Sequence, residues 1–203
     1  LTGSLDDDTV YGGTGDDFIQ GGGGADVLFG DEGNDRIQGG PDDDSIYGGD
    51  GDDSIQGGGG ADFIDGGAGN DLIGGADGAD SILGGDGDDI IRAAAGDDSI
   101  MGGAGNDVIY AGDGADTVAG NLGDDTIYGG AGDDSLTGSF GNDSVYGGVG
   151  DDFIQGGADT DLLDGGDGDD RIQGDGGSDL IYGGAGNDSI QSGAGDDTVF
   201  GGT

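Results

Sequence analysis

A nine-residue period runs through this chain without an insertion or deletion, and it restricts the available folds more than any composition figure does. Written G-G-x-G-x-D-x-U-x, with U aliphatic, twenty-two consecutive copies extend from Gly3 to Phe200. The sixth position is Asp in all twenty-two and the eighth is Val, Ile or Leu in all twenty-two. Glycine holds the first position in nineteen copies and the fourth in nineteen. A disordered acidic tract has no reason to keep one aliphatic residue at every ninth place. Strict register therefore predicts a stacked repeat with one structural unit per copy.

The pattern, with Asp8, Asp17, Asp26 through Asp188 and Asp197 at the sixth position, resembles the nonapeptide calcium-binding repeats of RTX (haemolysin-type) proteins. The resemblance covers Gly3 to Phe200. It implies an all-β fold, a right-handed parallel β-roll (a β-helix, or solenoid) with two nonapeptides per turn and calcium between the loops of successive turns. It further implies a secreted, extracellular or cell-surface protein that leaves the cell unfolded by type I secretion and folds where calcium is plentiful. Residues 1–203 are expected to form a single roll, a fragment of a longer secreted protein.

Composition agrees with a chain that needs help to fold. Of 203 residues, 59 are Gly and 46 are acidic, against three basic ones (Arg36, Arg92 and Arg171), for a net charge of −43. By composition alone this lies among disordered acidic chains, the state expected without calcium. Nothing could neutralise phosphates, which excludes nucleic acid and disfavours anionic membranes. No apolar stretch approaches a membrane span, and no basic-then-apolar leader is present. With no His, Cys or Lys, and carboxylates that repeat at every turn, the segment is read as non-catalytic, without cofactor beyond calcium.

Local geometry follows from residue type. Three residues such as "SIQ" predict a short strand with only its central aliphatic side chain inward, and six such as "GGAGND" predict the reversal. Two strands and two turns close a loop of eighteen residues, giving about eleven turns and a rod of roughly 50 Å at about 4.8 Å per turn. Residues eighteen apart then stand in register. One edge gathers Asp8, Asp26, Asp44, Asp62, Asp80, Asp98, Asp116, Asp134, Asp152, Asp170 and Asp188. The other gathers Asp17, Asp35, Asp53, Asp71, Asp89, Asp107, Asp125, Asp143, Asp161, Asp179 and Asp197.

These twenty-two aspartates are the candidate metal ligands. Carboxylates about 5 Å apart repel by roughly 3 kcal/mol at an effective dielectric of about 20, so the bare files oppose folding. A hard divalent cation with six to eight oxygen ligands reverses the sign, with glycine-turn carbonyls adding neutral oxygens. Ten gaps per edge allow up to about 20 calcium ions, and −43 + 2 × 20 leaves −3. One aliphatic side chain per nonad is too little apolar surface to offset the ordering of nine residues, so metal binding must supply folding free energy. The expected function is calcium binding by a folding and stabilising module. The alternative is a spacer, surface-layer or filament-forming segment that associates end to end or laterally.

Departures from the motif carry further expectations. Position nine predicts outward aromatic ladders, Tyr11–Phe29–Tyr47 and Tyr110–Tyr128–Tyr146, and glutamine ladders through Gln20, Gln38, Gln56 and through Gln155, Gln173, Gln191. Leu72, Ile90 and Val108 form an outward apolar column. Asp6, Asp42 and Asp159 replace the fourth-position glycine as residues that tolerate left-handed backbone and could add a ligand oxygen. Ala93 and Ala94 stand where two glycines belong; forced to positive φ, they predict a weaker or altered site at Asp98. The Asp or Asn at position five is explained equally by ligation and by turn preference.

Overall fold

A computed structural model describes the whole chain, residues 1–203. Twenty-two strands, one per nonad, alternate between two parallel sheets of eleven strands each. Each strand pairs with the one two places on, so Val10 lies opposite Leu28 and Leu28 opposite Ile46, in the expected register of eighteen residues. The chain is a β-solenoid of eleven tiers with no helix.

Strand length differs from the expectation. Most strands are six residues long, as in Ser45–Asp50 and Ser81–Asp86, and run from position seven of one nonad to position three of the next. The reversal is left to positions four to six. Glycines lack side chains but keep the backbone N–H and C=O that a parallel ladder pairs, so the ladder continues through them. Positive φ is confined to positions two and four: Gly67 (105°) near the end of the strand Phe63–Ala68, and Gly69 (130°) in the turn that follows.

The longer strand changes what faces inward. Alternation begins at position six, so Asp44, Ile46 and Gly48 all point to the interior, and so do their equivalents in the other central tiers. The expectation that only the aliphatic residue faces inward is corrected: the aspartate does too. Nineteen aliphatics from Ile19 to Ile181 are at most 3% exposed; Val10 and Ile190 pack against them and Val199 is exposed.

The faces match the sequence more closely. Tyr11, Phe29 and Tyr47 stack with ring centroids 4.9 Å apart, and Tyr110, Tyr128 and Tyr146 with centroids 5.0 Å apart. The Gln20 amide donates to Gln38 at 2.9 Å and that of Gln155 to Gln173 at 3.3 Å. Leu72, Ile90 and Val108 share one register column, with Leu72 and Ile90 exposed. Each guanidinium lies over a ring in a neighbouring tier: Arg36 over Phe18, Arg92 over Tyr110 and Arg171 over Phe153. Of the three fourth-position aspartates only Asp159 takes positive φ (74°); the Asp42 carboxylate instead accepts from the Gly24 N–H at 2.9 Å.

Candidate metal centre

Each position-six aspartate sits where a turn ends and a strand begins, and inward alternation carries its carboxyl into the interior. Eighteen of the predicted ligands, Asp26 through Asp179, are at most 3% exposed. The other four, Asp8, Asp17, Asp188 and Asp197, lie in the end tiers and are half-buried. Successive tiers string them into two files, one per edge.

One carboxylate oxygen is committed. Oδ1 accepts the backbone N–H of the aspartate eighteen residues earlier: Asp17 donates to Asp35 at 2.8 Å, Asp35 to Asp53 at 2.7 Å and Asp53 to Asp71 at 2.8 Å. The pattern holds along both edges, from Asp8 donating to Asp26 at 2.8 Å through Asp179 donating to Asp197 at 3.1 Å. The other oxygen is not committed. Oδ2 of every such residue from Asp26 to Asp188 is buried without a hydrogen-bond partner. An unpaired buried polar atom is costly, an unpaired buried charge more so, and a folded chain carries few of either.

Their titration reflects this. Burial, joined by repulsion from neighbouring carboxylates and opposed by the hydrogen bond from the preceding tier, pushes Asp71, Asp125, Asp152 and Asp161 up to about 7. The same causes raise Asp44, Asp53, Asp89 and Asp134 to about 6.

Position five was open between two explanations, and the structure gives its side chain a partner. It accepts a backbone N–H from the tier after, opposite in sense to position six: Asn34 donates to Asp16 at 3.0 Å and Asp52 to Asn34 at 3.0 Å. Asp169 receives both the backbone and the side-chain N–H of Asn187, which holds its carboxyl below the usual range. A signal for this ladder lay in the sequence. Asp16, Asn34, Asp52, Asn70, Asp88, Asn106, Asp124 and Asn142 alternate at eighteen-residue spacing, so amides separate like charges.

Position-one glycine closes the site. A β-carbon on Gly129 would stand 2.5 Å from Asp134 Oδ2 and 2.6 Å from the Gly147 carbonyl oxygen of the next tier. Equivalent glycines in both files meet the same two oxygens at 3.1 Å or less. What the glycine supplies here is therefore space rather than φ. Ala93 has ordinary backbone and is fully buried, and only Ala94 takes positive φ (90°), which corrects the expectation that both are strained.

No three acidic side chains converge at one point, so a cation held here would take much of its shell from backbone carbonyls. The available donors suit a hard divalent cation: an anionic oxygen without a partner beside a carbonyl with a second lone pair, repeated tier after tier.

Comparison with known proteins agrees. A search of curated proteins finds no match. The family model described as RTX calcium-binding nonapeptide repeat (4 copies) matches residues 2–37, 38–73, 74–109, 110–145, 137–172, 146–181 and 173–203. With its repeats matched from residue 2 to residue 203 and its aspartates filed along both edges of a parallel solenoid, the chain belongs to the RTX calcium-binding nonapeptide repeat family.

Proposed function

We propose that this chain is a calcium-driven folding and stabilising module of a secreted RTX-type protein, with no catalysis of its own. The observation that carries the reading is the double file of buried carboxylates whose Oδ2 atoms have no partner. A chain of net charge −43 gains nothing by hiding them ionised unless a cation neutralises them. The position-six aspartates from Asp8 to Asp197 would hold the ions with backbone carbonyls, up to about 20 if every gap between tiers is filled. Calcium supplies charge neutralisation and cross-tier bonding; the chain supplies register, dehydration and oxygen donors. RTX repeats are typical of secreted proteins, and a calcium-poor cytoplasm with a calcium-rich exterior suits a chain that travels loose and sets outside. Far-ultraviolet circular dichroism tests this. Strand signal is expected with millimolar calcium and loss of it with chelator, and strand signal that survives chelation overturns the reading.

A second reading, a spacer or filament segment, is favoured by the exposed column through Leu72 and Ile90, which offers a lateral contact between rods. Calcium-dependent filaments in electron microscopy support it; monomeric light scattering of the loaded chain removes it.

A further inference from the structure

The two edges are not equivalent. Along the edge that begins at Asp8, position one carries glycine in every central tier except two consecutive ones, Ala93 and Ala111. These alanines stand side by side on adjacent strands, between the paired residues Arg92–Tyr110 and Ala94–Gly112. Both are fully buried. Along the other edge position one is glycine from Gly12 through Gly174.

The alanine β-carbons occupy the space that the site leaves open elsewhere. At Gly75 and Gly129, the tiers that flank the pair, a β-carbon would meet the Oδ2 of Asp80 or Asp134 and a carbonyl oxygen of the next tier. At Ala93 and Ala111 that carbon is real. The carboxylates keep their hydrogen bond to the preceding tier. Asp98 Oδ1 still accepts the Asp80 N–H at 2.7 Å, and Asp116 Oδ1 accepts the Asp98 N–H at 2.8 Å. Their Oδ2 atoms stay buried and unpartnered, Asp98 being 3% and Asp116 1% exposed. A methyl group offers a cation no lone pair, and it takes the volume onto which two oxygens converge.

We propose that the tiers closed by Ala93 and Ala111 take no calcium ion, so that the file beginning at Asp8 is broken at Asp98 and Asp116 while the opposite file runs on. This rests on the calcium reading above. It makes the middle of the solenoid a joint at which one edge is held by metal and the other by backbone pairing alone.

Native mass spectrometry of the calcium-loaded full chain counts bound ions as integers and decides the matter. Ala93→Gly/Ala111→Gly should carry two more ions than the unaltered chain, and Gly39→Ala/Gly57→Ala, which places the same pair of methyls three tiers away, should carry two fewer. Equal counts in the unaltered chain and Ala93→Gly/Ala111→Gly would overturn this proposal and leave calcium binding standing. No calcium uptake by any of the chains would overturn the calcium reading and this one with it. If Gly39→Ala/Gly57→Ala does not fold, the Ala93→Gly/Ala111→Gly count still decides.

Discussion

At the scale of the residue, a position-six aspartate divides its work between two oxygens. Oδ1 of Asp71 staples the Asp53 N–H at 2.8 Å, and Oδ2 has no protein partner. Substitutions can separate the two. Asp71→Asn keeps a carbonyl oxygen for the staple but loses the charge, so calorimetric titration should show at least one fewer calcium ion bound with the fold retained. Asp71→Ala loses both and leaves the Asp53 N–H unpaired in the interior, a further cost of about 1–3 kcal/mol in urea unfolding of the loaded chain. If the two variants were indistinguishable in stability, the staple would carry no weight. Recurrence marked these aspartates as candidate ligands, because Asp at every ninth place asks for one role repeated in every copy. The staple was not legible: a one-letter code does not say which neighbouring amide a carboxyl reaches. Ala93 shows the same limit. Glycine is read first as a φ residue, and only the positions of Asp98 and the next tier reveal that what mattered there was the absent β-carbon.

At the scale of the element, each strand contributes one aliphatic side chain to a narrow interior and is held on both sides by strands of identical pattern. Ile73, 1% exposed, stands in register between Ile55 and Ile91. Ile73→Ala should therefore cost about 2–5 kcal/mol, because fixed tiers above and below cannot collapse into the cavity. Val199 in the last strand is 44% exposed, and Val199→Ala should lie within about 0.5 kcal/mol of the parent. Urea unfolding in saturating calcium compares them; equal costs would mean that the tiers do not share one core. The sheet order and eighteen-residue register were legible because the period fixes both. Strand length was not. Side-chain alternation is visible in "SIQ" and then vanishes into glycines, whereas the backbone ladder continues to Asp50 or Asp86 with no side-chain pattern to announce it.

At the scale of the whole molecule, the decisive quantity is the charge carried into the interior, and protons and calcium are alternative means of cancelling it. Burial raises Asp71, Asp125, Asp152 and Asp161 to about 7 from an ordinary value of 3.8. Between those values the folded chain binds more protons than the unfolded one, so the stability of the metal-free chain falls as pH rises. The contribution is fully present below the unfolded value of 3.8 and is lost as pH climbs through about 6 to 7. A chelated sample brought from pH 7.5 to pH 4 should therefore gain strand signal and compactness, although no metal is present. With calcium in excess the sign reverses. The ion requires deprotonated carboxylates, so acidification through the same window should raise the calcium concentration needed for folding. Circular dichroism and small-angle scattering across pH, with chelator and with calcium, should give curves of opposite slope that approach each other in acid. A chelated chain that stays expanded at pH 4 would mean that the interior files are not what keeps it unfolded at neutral pH. The glycine backbone itself would then be the obstacle that calcium overcomes.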